Sequence, residues 1–269
     1  MHQAWTKPLL LAACLGGSVC VQAADWSGAY LGLNAGYGRF EADTRSSGAR
    51  SYWAGIGGDR QAAQTHANSV SGHYDSQPEG EVYGIQLGYN WQRDSLLIGV
   101  EADLQKSGMS GTTELERVTP VQDYPSNPFT TRLAQASSIE AMATLRGRLG
   151  YAAGNNWLLY GTAGMAWARV ETRLSYSGTV ALNPQIVIGG LREQKSSTRM
   201  GWVLGGGAEY AWQQGWSARV EYLYFDLGKS RHDFTAYSRS PTGFRAEAAG
   251  KATTAWRGSL LRLGLNYSF

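Results

Sequence analysis

Leu96-Leu97-Ile98-Gly99-Val100-Glu101-Ala102-Asp103-Leu104-Gln105 decides the reading of this chain. Leu96, Ile98, Val100, Ala102 and Leu104 share one parity; Leu97, Gly99, Glu101, Asp103 and Gln105 share the other. Period two is the period of a β-strand. One face is wholly apolar, while its partner face carries glycine, an amide and two carboxylates.

The same pattern recurs along the chain. Leu31, Leu33 and Tyr37 alternate with Gly32, Asn34 and Gly36, and Tyr83, Ile85, Leu87, Tyr89 and Trp91 with Gly84, Gln86 and Asn90. Segments 139–151, 199–212, 216–224 and 261–269 repeat it. Residues 157–168 form an eighth strand with two apolar faces. Its odd positions are placed outward, because Trp157 and Trp167 then stand about 25 Å apart in height, the height of a membrane barrel's apolar band.

Short connections, Gln92–Ser95, Ala152–Asn156 and Gln213–Gly215, alternate with long polar ones at about 41–79, 106–137, 171–197 and 228–254. Eight strands of roughly ten residues, with short turns at one end and long loops at the other, predict an all-β, eight-stranded antiparallel transmembrane up-and-down barrel with four long extracellular loops. A soluble sandwich or lipocalin-like barrel would also alternate. It would put the apolar face inside and leave five arginines outside, around a core wider than eight strands enclose.

Composition agrees. The 269 residues include 35 Gly, 15 Tyr and 10 Trp, are 17% charged, and have a mean hydropathy of -0.32. That excludes a bundle of apolar spanning helices, each of which needs about 20 apolar residues. Trp91, Tyr151, Trp157, Trp212, Trp216, Tyr267 and Phe269 flank the short turns or the terminus and form a candidate interfacial girdle. Tyr37, Trp167, Trp202, Tyr222 and Tyr224 form a partial second one.

Residues 1–23 read as a secretory signal peptide: Lys7, an apolar run from Pro8 to Val21, and Val21-Gln22-Ala23 before a cut at Ala24. A cut after Ala24 and lipidation at Cys14 in Leu11-Ala12-Ala13-Cys14 are the rival readings. Residues 24–269 are then the barrel. Both cysteines, Cys14 and Cys20, fall in the leader, so disulfides and thiolate metal sites drop out of the remainder. The formal net charge is +3, and +2 without Lys7, too small to imply a nucleic-acid partner.

Asp25-Trp26-Ser27-Gly28-Ala29-Tyr30-Leu31-Gly32 with Asn34-Ala35-Gly36-Tyr37-Gly38, Gly201-Trp202 through Ala211, and Arg219-Val220-Glu221-Tyr222-Leu223-Tyr224-Phe225-Asp226-Leu227-Gly228 resemble the first, sixth and seventh strands of the small OmpA-like outer-membrane barrels. These are the outer-membrane immunogenic, surface-antigen or porin-family proteins. The ending, with Leu261, Leu263, Leu265, Tyr267 and Phe269 at every second position, is similar to the recognition signal for the barrel-assembly machinery. The resemblance implies an integral outer-membrane location and contact with lipid and lipopolysaccharide; no cofactor is expected. It implies less about the loops, which diverge. The last strand ends at Phe269, so no peptidoglycan-binding half is expected after it.

The predicted inward face carries Glu101, Asp103, Glu140, Glu209 and Glu221 against Arg146, Arg148, Arg199, Arg219 and Arg262. Five acids and five bases in a narrow interior should pair and plug it. A small gated porin is the alternative. A third reading is a receptor or adhesin, since some relatives are described as binding haem or as adhesive. It would use Trp53, His66, His73, Tyr74, Tyr124, His232, Phe234 and Tyr237 of the loops. An enzyme is not expected. No Gly-x-Ser-x-Gly or His-Glu-x-x-His occurs, and Ser230, His232 and Asp233 are the one cluster of suitable types.

Overall fold

The computed structural model describes residues 24–54, 71–121, 124–154, 156–180, 183–213, 215–239 and 245–269. Residues 1–23, the proposed leader, lie outside them. The described chain is β throughout. The strands are β1 (Gly28–Ala54), β2 (Gly72–Ser76), β3 (Glu79–Arg93), β4 (Leu96–Val121), β5 (Tyr124–Ala153), β6 (Trp157–Val180), β7 (Asn183–Gln213), β8 (Trp216–Arg239) and β9 (Arg245–Ser268). Neighbours pair antiparallel in the order β2-β1-β3-β4-β5-β6-β7-β8-β9, and β1 also pairs with β9 from Tyr30↔Ser268 upward, which closes the sheet. Phe269 N donates to Ala29 O at 3.0 Å and completes that last seam.

Eight staves close the barrel. The ninth strand, β2, continues the line of β3 beyond Gln77-Pro78 and pairs with Ala42–Ser46 of β1. At the short-turn end each reversal uses a left-handed residue: Asp94 (φ 56°), Gly154 (φ 63°) and Gly215 (φ 85°). Such tight turns match the twist of the strands they join.

The long polar segments expected as loops are largely strand. Seven staves run 24 to 31 residues, so at about 3.3 Å per residue and a tilt near 40° they rise roughly 60–80 Å. The apolar band needs only about 25 Å of that. The rest stands clear as a β-walled extension. The backbone ladders stop in two places: the β7–β8 ladder runs only from Gln213↔Trp216 to Trp202↔Asp226, and the β3–β4 ladder ends at Glu79↔Ser110, past which side chains tie β2 to β4, Thr113 Oγ1 donating to Asp75 O at 2.5 Å. Beyond these points the described ladders join β8, β9, β1 and β2 in one lobe and β4 to β7 in the other.

Alternation sorts side chains as the sheet requires. Leu33, Ile98, Leu149, Leu204 and Leu263 stand outward and exposed, each more than half accessible. They form a continuous exposed apolar band, the kind of surface a transmembrane barrel turns to lipid. The opposite parity fills the lumen.

Candidate functional site

The lumen holds three layers. At the short-turn end Trp26, Leu97, Leu158 and Tyr160 form a small apolar cluster. At the other end of the band Phe40, Met109, Ile139, Met142, Val203, Phe225, Leu227 and Trp256 pack together, with the Phe40 and Phe225 rings 5.7 Å apart. Between them lies a charged layer built from five of the eight staves.

Its members are Glu101 and Asp103 of β4, Arg146 and Arg148 of β5, Glu209 of β7, Arg219 and Glu221 of β8, and Arg262 of β9, all at most 3% exposed. That is four acids and four bases. Arg146 touches three acids: Glu101 in a short contact, Asp103 Oδ2 at 2.9 Å and Glu221 Oε1 at 3.1 Å. Arg262 donates from Nε to Glu221 Oε2 at 2.6 Å and lies 3.2 Å from Asp103. Arg219 reaches both oxygens of Glu101, at 3.1 Å to Oε1, and donates to Gln86 Oε1 at 2.5 Å. Arg148 pairs with Glu209, and its guanidinium lies 3.7 Å from the centre of the Tyr160 ring.

Neutral groups tie the ions to the walls. The Tyr30 hydroxyl donates to Glu101 at 2.5 Å, Thr144 Oγ1 to Asp103 at 2.7 Å, and Ser217 and Asn266 to Glu209 Oε1 at 2.5 and 2.6 Å. Asn34, Gln86 and Asn266 form a chain of amides that runs from β1 through β3 to β9. Glycines make the room. A Cβ at Gly88 would fall 2.4 Å from the Tyr30 ring, and one at Gly264 would fall 2.9 Å from Arg219 Cγ.

Two expected members are elsewhere. Glu140 leaves the lumen because β5 carries one extra residue against β6: Ile139 pairs with Val170 but Ala141 with Arg169. The bulge turns Glu140 and Ala141 both outward, and Glu140 pairs with exposed Arg169 at 2.9 Å. It also turns Ile139, expected outward, into the apolar layer. Arg199 keeps the inward parity of β7 but stands four residues above Val203, half-buried and above the cluster. One acid and one base depart, so the balance survives.

The girdle residues Trp91, Tyr151, Trp157, Trp212, Trp216, Tyr267 and Phe269 are all exposed on the outer face at the short-turn end. They work in pairs with their neighbours: Tyr89–Trp91 at 4.7 Å, Trp157–Tyr210 at 4.9 Å and Trp216–Tyr267 at 5.1 Å. Leu261, Leu263, Leu265, Tyr267 and Phe269 form the outward stripe of β9. Of the loop candidates, Tyr74 turns into the interior and His73 faces outward. Trp53, Tyr124, His232, Phe234 and Tyr237 fall on β1, β5 and β8, and His66 lies outside the described residues. Ser230 is inward and Asp233 outward, so these two do not share a face.

A family model described as the outer-membrane protein β-barrel domain matches residues 9–269. The chain belongs to that family. The 31 kDa outer-membrane immunogenic protein of Brucella melitensis is 30% identical over 258 residues, covering 91% of this chain and 84% of the relative. A 22 kDa outer membrane protein of Rhizobium leguminosarum is 29% identical over 161 residues, 60% of this chain and 58% of its own. Among solved structures, OprG of Pseudomonas aeruginosa aligns over 90% of this chain and 97% of its own at 13% identity, with a TM-score of 0.36. This outer-membrane barrel therefore has its exposed apolar band in lipid, and its long hairpins at the end that is extracellular in barrels of this kind. The apolar layer was missed in the sequence. Phe40 follows the first alternating run, and Trp256 lies midway along β9, just beyond a segment expected to be loop; each sits at the inward parity of its stave.

Proposed function

We propose that this protein is a sealed, non-catalytic outer-membrane barrel whose role is structural, a rigid pedestal that presents its β-walled extension at the cell surface. One observation carries the reading: each of the four buried acids touches at least one buried arginine, and the contacts join walls across the lumen. Ions in a confined, low-dielectric interior are stable only when paired and hydrogen-bonded. Here the pairing uses the groups a conducting path or a catalyst would need free. The apolar layers above and below add steric closure.

The barrel is taken to arrive by export behind residues 1–23, with the outward stripe of β9 read by the barrel-assembly machinery, and to stand in lipid and lipopolysaccharide. An intact mass that begins at Ala24 and carries no acyl chain is expected.

The decisive measurement is conductance of the refolded barrel in planar bilayers. The wild type should show no unit steps. A steady conductance abolished in an Arg146→Gln, Arg148→Gln variant would establish the porin reading instead.

A further inference from the structure

On the outer wall of the extension, β1 and β2 bring two carboxylates and an imidazole together. Asp43 of β1 lies directly opposite Asp75 of β2, and Arg45 opposite His73. Like charges facing each other across a ladder are destabilising. His73 stands between them, with Nε2 2.9 Å from Asp75 Oδ1 and Nδ1 3.5 Å from Asp43 Oδ1. A neutral imidazole has one N–H and one lone pair. It can therefore donate to one of the two carboxylates and not to both. A divalent cation among the three relieves both conflicts, in competition with a second ring proton.

We propose that Asp43, His73 and Asp75 form a surface site for a zinc-class divalent ion. One ligand atom from each already lies within 4.8 Å of the others. All three side chains are about half exposed, so rotamer changes can close the set without moving the wall. One nitrogen and two oxygens leave further positions for water, a donor set that suits Zn²⁺, Ni²⁺ or Cu²⁺. Mg²⁺ and Ca²⁺ prefer oxygens alone. Arg45 is the standing competitor, with Nε 3.9 Å from Asp43 Oδ1 on a largely exposed side chain.

The test is calorimetric titration of chelator-stripped, detergent-refolded full-length mature barrel with ZnCl₂. Unheated gel mobility and circular dichroism show that each variant is folded. One saturable site is expected, undiminished by millimolar-range Mg²⁺. His73→Gln and Asp75→Asn should each weaken it roughly tenfold or more. Arg45→Gln should strengthen it, because it removes the competing cation. No saturable binding, binding unchanged in His73→Gln, or binding lost through His66→Gln or His232→Gln while His73→Gln retains it, overturns the site.

Discussion

Glu101 and Arg219 meet across the full width of the lumen. The former rises from β4 and the latter from β8, four staves apart whichever way the closed sheet of eight is counted. Arg219 donates to both carboxylate oxygens, and the Tyr30 hydroxyl holds the same carboxylate from β1. Removing either partner strands a buried charge, at a typical cost of about 3–5 kcal/mol. Arg219→Met should lower unfolding stability in urea by that order, read by tryptophan fluorescence in lipid vesicles. The Glu101→Gln, Arg219→Gln double variant should cost clearly less than the sum of its single changes.

Glu140 supplies the contrast. Its carboxylate is exposed and paired with exposed Arg169, so Glu140→Gln should cost at most about 1 kcal/mol in the same assay. A loss as large as that of Arg219→Met would return Glu140 to the lumen.

Two glycines of β6 should respond oppositely to alanine. A Cβ at Gly164 would fall 2.1 Å from Leu145 O and 2.6 Å from Arg146 Cα, backbone atoms that cannot yield cheaply. Gly164→Ala should destabilise by about 1–3 kcal/mol. At Gly161 the nearest atom is 3.9 Å away, and Gly161→Ala should be neutral or stabilising by up to about 1 kcal/mol. Equal effects would disprove the packing account.

Phe269 joins the two ends of the sheet through its N–H to Ala29 and lies 5.3 Å from the Tyr267 ring. Deleting it should reduce the heat-modifiable, membrane-assembled fraction in cells. Refolded in detergent, the shortened chain should lose only about 1 kcal/mol, the worth of one hydrogen bond and one ring contact. Normal assembly in cells would remove the role given to the terminal stripe.

The staves within the apolar band were legible because one face must be apolar for lipid and the other polar for the lumen, so Leu96–Gln105 alternates. Beyond the band both faces meet water. Lys106–Val121 is polar on both parities, and it reads as loop although it is strand. Alternation marks a strand only where its two sides meet different solvents. Eight members of the ion cluster were legible from parity. Glu140 was not, because a one-residue bulge reverses parity without a local signature such as glycine. The apolar layer was obscured for a similar reason: Phe40 and Trp256 lie at the borders of runs, and only the registers show that Gly258 faces Phe40.

The ion cluster also bears on how such a chain enters a membrane. Contacts such as Glu101–Arg219 and Asp103–Arg262 join segments 118 and 159 residues apart, and none exists before the sheet has curled shut. A half-made sheet keeps neighbour-strand pairs such as Glu101–Arg146 and Glu221–Arg262, but it lacks the cross-lumen partners and offers hydrocarbon an open edge. Release into the bilayer is thus energetically coupled to completion. The layer proposed to stopper the finished barrel would, on this account, also penalise any form that has not closed.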